Sequence, residues 1–164
     1  MNDTDALKRF ALFADLGDAE REELALLLEE RDVSIGETLF EAGDDADALL
    51  LVLDGAVELT AGGSGATLRL GGGDAIGGLS LFAVGTRETR AVGREATALR
   101  LLRREDFLRY AEDHPRAAFR IAAALASDVA QHARAALPDV RRATASPGSV
   151  ARTRSSVDPS GAGE

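Results

Sequence analysis

From Val33 to Arg103 glycines cut the chain into short apolar segments, and this punctuation rules out most architectures for the middle of the protein. Val33-Ser34-Ile35 is followed by Gly36-Glu37, and Thr38-Leu39-Phe40 by the turn Gly43-Asp44-Asp45. Ala48-Leu49-Leu50-Leu51-Val52-Leu53 is apolar without interruption, the pattern of a strand covered on both faces. Asp54-Gly55 then signals a hairpin, and Val57-Glu58-Leu59-Thr60 alternates as a return strand should. Thr67-Leu68-Arg69-Leu70 alternates again beyond the Gly62–Gly65 tip, and Ala91–Arg94 and Thr97–Leu102 add two more strands. Strands at a spacing of about 8–12 residues predict a closed antiparallel roll or a double-sheet sandwich. Gly36, Gly43, Gly55 and Gly73 are expected to serve turns that need a positive φ.

Helices flank this region. Ala6, Leu7, Phe10, Ala11 and Leu12 cluster near the start. Asp18 is placed to cap a second helix, with Glu20, Glu22 and Glu23 in its first turn and Leu24, Leu27 and Leu28 as its buried stripe, ending near Arg31. Arg104–Tyr110 opens a short helix. Pro115 suits the first turn of a long one, which Pro138 is expected to stop. Along it Phe119, Ala122, Ala126, Val129, Ala133 and Ala136 are spaced 3, 4, 3, 4, 3, a seam of mostly small residues. That seam packs either on the chain's own sheet or on a second helix, in a homodimer or a protein partner. The fold class is thus α+β, mainly β: an antiparallel β-roll or jelly roll of about eight strands, with N-terminal helices, a short cassette helix and a long C-terminal helix. The boundaries expected are 1–137 for the domain (1–31 helices, 33–103 roll, 104–137 helices) and 138–164 for a polar, disordered tail.

Composition narrows the chemistry. There is no cysteine, so thiolate metal sites and cysteine nucleophiles are excluded. His114 and His132 are the only histidines and neither falls on an expected strand, which removes the histidine-lined metal site of a cupin-type enzyme. No nucleophile elbow, P-loop or catalytic carboxylate pair is present, and the reading is of a protein that is not an enzyme. No apolar run reaches the ~20 residues of a membrane span, and the acidic start Met1–Asp5 is unlike a secretory signal, so a cytoplasmic location is expected. The net charge of −9 repels phosphate backbones and argues against nucleic acid as a partner.

One segment has a ligand-binding layout. Gly77-Gly78-Leu79-Ser80 lets backbone N–H groups approach an anion, and Arg87 returns shortly afterwards to neutralise it, followed by Glu88 and Thr89. In order and spacing, Ile35–Asp44, Leu49–Leu59, Leu70–Gly77, Leu101–Phe107 and Glu112–Pro115 resemble the cyclic nucleotide-binding domain family, over roughly Leu12 to Leu137. The resemblance implies a regulatory module. It further implies that Gly77 to Thr89 is the phosphate-binding cassette, with candidate ligand contacts at Gly77, Gly78, Leu79, Ser80, Arg87, Glu88 and Thr89.

The chain departs from the family pattern in two places. The family's cassette begins Gly-Glu, and that glutamate accepts a hydrogen bond from the ribose 2′-hydroxyl; here the position is Gly78. The arginine that pairs with the cyclic phosphate falls on Arg87, or on Arg90 if the alignment slips by three residues. The small residue expected next is Glu88, and Thr89 occupies the small position after it. A lost charge-assisted hydrogen bond costs about 1.5–3 kcal/mol. A carboxylate about 4 Å from a phosphate adds up to roughly 4 kcal/mol. A combined loss of ~3–5 kcal/mol moves a micromolar ligand toward millimolar. Three readings stand: a degenerate pocket with no cofactor, binding of cyclic AMP or cyclic GMP, and binding of another small anion. The function expected is a regulatory or sensor module acting through protein contact. The alternative is a Crp/Fnr-type transcriptional regulator that lacks a recognisable helix-turn-helix.

Overall fold

The computed structural model describes residues 2–144, with side chains described as far as Ala135. The chain divides into a unit of residues 1–129 and a second of residues 130–164. In the first unit, α1 (Asp3–Leu7), a 3₁₀ turn at Ala11–Phe13 and α2 (Asp18–Ala25) precede eight strands. These are β1 (Glu29–Val33), β2 (Thr38–Phe40), β3 (Ala48–Asp54), β4 (Ala56–Ala61), β5 (Thr67–Gly71), β6 (Ala75–Ile76), β7 (Thr89–Gly93) and β8 (Thr97–Arg103). A 3₁₀ turn at Gly78–Leu81 lies between β6 and β7, and α3 (Arg104–Asp113) and α4 (Pro115–Thr144) follow β8.

Two antiparallel four-stranded sheets form, in the orders β1-β8-β3-β6 and β2-β7-β4-β5. The expected eight-strand roll with flanking helices is what the chain adopts. β3 shows why its apolar run is unbroken. Leu50 and Val52 join Val33, Phe40, Val57, Ile76, Ala91, Leu99 and Leu101 in one apolar core, and Leu49 and Leu51 join a second core with Leu102 and the helices. Alternate side chains of one strand serve opposite faces, so both parities must be apolar. Each fully buried leucine is worth about 1.5–3 kcal/mol. The second core is rich in aromatics: Phe10, Phe13, Phe107 and Tyr110 close it with Leu24, Ala117 and Ile121.

Three boundaries differ from those read in the sequence. The helix expected to reach Arg31 ends at Ala25, and Glu29–Val33 is an edge strand paired with β8. Its charges are placed by that pairing: Glu29 meets Arg103 at 2.6 Å, and Glu30 meets Arg100 at 3.0 Å. Asp18 is the first residue of α2 and not its cap. Gly17 holds the cap position, its N–H donating to Glu20 Oε2 at 2.7 Å. Pro138 does not stop α4, which runs to Thr144. An interior proline removes one hydrogen bond and crowds one carbonyl, and the alanine-rich turns around it supply high helix propensity. Residues 145–164 of the expected tail lie outside the described residues.

The face of α4 that packs is also not the expected seam. Ala117 and Ile121 are buried, and Leu125 packs against the same core. The seam lies elsewhere on the helix: Phe119 is 73% exposed and Val129 45% exposed. Ala126 and Ala133 are exposed too, and Ala122 is half-buried. The side chain of Ala136 lies outside the described residues.

Candidate functional site: the cassette between β6 and β7

The segment Gly85–Arg87 runs antiparallel to Gly43–Ala46. Arg87 N donates to Asp44 O at 2.7 Å, Gly43 N to Arg87 O at 2.8 Å and Ala46 N to Gly85 O at 2.9 Å. This short ladder pins the Arg87 backbone and sends its side chain inward. Arg87 is 9% exposed. Its Nη2 donates to Ala48 O at 2.8 Å, and its guanidinium carbon lies 4.7 Å from the centre of the Phe40 ring. Burial holds the Arg87 pKa below the ordinary arginine value, and the Asp47 charge pulls it the other way. The group stays a cation, because a guanidinium keeps its proton at any ordinary pH.

Gly77 lies directly beneath this guanidinium. Its φ is +76°, and a Cβ there would collide with Arg87 Nη1 and fall 3.2 Å from Ser80 Oγ. Glycine is required at Gly77 both by the left-handed backbone and by the closeness of the cation. Ser80 is 6% exposed, so two buried polar side chains converge on one point. Arg104 fixes the cassette from behind, its Nε donating to Ser80 O and its Nη2 to Ala46 O. Beside it lies a cleft of about 340 Å³ lined by Asp47, Arg103, Arg104, Glu105 and Leu108.

Gly78 differs in kind. Its backbone is not left-handed, yet a Cβ there would collide with Leu125 Cδ2, with Leu125 Cγ and Cδ1 3.5 Å away. A helical leucine therefore fills the space into which a longer side chain at position 78 would project. Leu79 is exposed on the outer side of the 3₁₀ turn. Glu88 faces solvent and pairs with neither arginine. Arg90 meets Glu41 at 3.1 Å and Thr38 Oγ1 at 3.1 Å. Thr89 is half-buried at the start of β7, opposite Ala61. Of the seven candidate residues, the fold brings Gly77, Gly78, Ser80 and Arg87 together and turns Leu79 and Glu88 outward. Two contributors were missed by the sequence reading. Phe40 carries an aromatic signal that could have suggested a cation partner. Leu125 is distant in the chain and carries no local signal at all. Among the described residues no group of three or more His, Asp or Glu side chains is arranged to hold a metal ion.

The profile of the cyclic nucleotide-binding domain family matches residues 30–114. Among solved structures, the N-terminal domain of a transcriptional regulator from Streptomyces coelicolor A3(2) is 31% identical with a TM-score of 0.70, over 80% of this chain and 94% of that one. The catabolite activator protein of Thermus thermophilus is 30% identical with a TM-score of 0.70, over 82% of this chain and 63% of that one. A cyclic nucleotide-binding-like protein from Brucella abortus is 29% identical with a TM-score of 0.59, over 68% of this chain and 99% of that one. No curated protein matches the sequence. The chain belongs to the cyclic nucleotide-binding domain family. Its fold is that of transcription-regulator and kinase-regulatory domains.

Proposed function

We propose that this chain is a non-enzymatic regulatory module of the cytoplasm in which the cyclic nucleotide-binding fold is kept and strong nucleotide binding is lost. One observation carries the reading: the isobutyl group of Leu125 sits against Gly78, where the sugar-binding carboxylate of the family pattern would stand. The arginine reserved for the phosphate is meanwhile spent on Ala48 O and the Phe40 ring. A nucleotide entering here finds no acceptor for its 2′-hydroxyl and must displace a packed side chain. With those losses the module works through protein contact, and the exposed Phe119–Val129 stripe of α4 is the surface offered, to a second copy or to another protein.

Titration calorimetry and thermal unfolding with cyclic AMP and cyclic GMP test this. At about 1 mM nucleotide the midpoint should shift by under about 1 °C, because ligand linkage is at most about 0.4 kcal/mol when the concentration does not exceed Kd. A clear shift with saturable heat overturns the reading. The combined variant Gly78→Glu, Glu88→Ser, Leu125→Ala restores the acceptor, removes the nearby carboxylate and clears the space, and it should gain affinity over the wild-type chain.

A second reading is favoured by the 31% identity to a transcriptional regulator's N-terminal domain. In that reading the chain regulates transcription, with Arg141, Arg142, Arg152 and Arg154 touching DNA. Titration with duplex DNA at two salt concentrations separates the two: salt-sensitive binding favours the regulator, and no binding favours the protein-contact module.

A further inference from the structure

We infer that Gly78 and Leu125 form a matched pair in which the glycine is retained to seat the leucine, so that Leu125 is the residue that closes the sugar side of the cassette. The inference deepens the reading of lost nucleotide binding and rests on it. Three observations converge. The Gly78 backbone has no left-handed torsion, so conformation alone does not demand glycine, in contrast to Gly77 at φ +76°. The three atoms that a Cβ at Gly78 would meet first all belong to the Leu125 side chain. Leu125 continues the buried face Ala117–Ile121 by one helical turn and packs, half-buried, on the same core, so α4 sets the side of the helix from which it meets Gly78. The cassette and α4 thus touch through a side chain on one partner and the absence of one on the other. A longer side chain at position 78 would have to turn the Leu125 isobutyl group aside, so sugar recognition at that position and this packing of Leu125 compete for the same space.

The test is a double-mutant cycle on the full chain: Gly78→Ala, Gly78→Val and Leu125→Ala, with each position-78 variant also in the Leu125→Ala background. Thermal midpoints and amide exchange over residues 115–129 are the readouts. Alanine asks only the terminal methyl of Leu125 to turn, and valine asks the whole isobutyl group to move. Gly78→Val should therefore lower the midpoint by about 3–6 °C, with exchange in α4 about tenfold faster, and Gly78→Ala by less. In the Leu125→Ala background the Val penalty should fall by more than half. Equal penalties in both backgrounds overturn the pairing. If Gly78→Val does not fold, the same comparison with Gly78→Ala decides it. Tight cyclic AMP binding by the wild-type chain would refute the proposed function and leave the cycle intact, so the two failures are distinguishable.

Discussion

Arg87 is a buried cation whose hydrogen bond goes to a backbone carbonyl and not to a carboxylate. Such a group is desolvated at a cost its partners repay only in part, and replacing it by an apolar side chain of similar length is often close to neutral. Arg87→Met loses the bond to Ala48 O and the stacking on Phe40 but removes the desolvation penalty. Its stability should lie within about 1 kcal/mol of wild type. Urea unfolding measures this. A loss of about 3 kcal/mol or more would instead mean that the contacts to Ala48 O and Phe40 outweigh the desolvation penalty. That Gly77, Ser80 and Arg87 come close together was legible in the sequence, because glycine pairs and a returning arginine are local features. Their directions were not. The inward turn of Arg87 is imposed by a backbone ladder with Gly43–Ala46, and the block over Gly78 comes from a residue 47 positions further on. Neither contact leaves a periodic trace.

At the scale of elements, the joint of α2, α3 and α4 is tied by polar contacts around one aromatic. Tyr110 is 5% exposed and its hydroxyl donates to Glu20 O at 3.1 Å. His114, between α3 and α4, stacks on the Tyr110 ring at 4.6 Å and meets Glu23 at 2.5 Å, and Arg120 meets Glu20 at 2.9 Å. Burial, then the Glu20 and Glu23 charges, push the Tyr110 pKa up to about 12, with Arg120 opposing. The ordinary value is about 10, so between these limits the unfolded chain gives up the phenolic proton while the folded chain keeps it. Stability should therefore be unaffected by this group below about pH 10 and fall between pH 10 and 12, by about 1–2 kcal/mol once partial solvent screening is allowed for. Tyr110 is the chain's only tyrosine, and there is no tryptophan, so phenolate absorbance reads it without interference. The midpoint should drop toward 10 in urea, and Tyr110→Phe should remove the slope. A native midpoint near 10 would contradict the buried placement. Which elements form was legible wherever the pattern was local: alternation in β4, continuity in β3, Pro115 opening α4. β1 was not, because Glu29-Glu30-Arg31-Asp32 reads as a helical surface until the arginines of β8 give those charges an edge to pair with. The 3,4 spacing on α4 was visible, but which face the domain core takes was set by Ala117, Ile121 and Leu125.

For the whole molecule, the contest is between an exposed apolar stripe and a strong net charge. Phe119 and Val129 are exposed on a helix that already packs Ala117, Ile121 and Leu125 on the core, and no helix among the described residues is long and apolar enough to cross a membrane. Burying such a stripe against a like helix gains roughly 25 cal/mol per Å². Opposing this, each copy carries −9, so two copies repel one another over the Debye length of about 8–10 Å at moderate salt. If the stripe joins two copies, sedimentation should give a mass that grows with protein concentration and grows further as salt is added, because screening weakens the repulsion and leaves apolar burial intact. Val129→Glu puts a further charge into each half of the seam and should return the mass to that of one chain at every salt concentration. The site is exposed, so the folded chain should lose no more than about 0.5 kcal/mol, and a change in mass then reads association and not unfolding. An unchanged mass in Val129→Glu removes the seam as a self-association surface and leaves it for a different protein. A dimer that weakens as salt rises would mean that charge pairs, and not the alanine-rich stripe, hold the copies together.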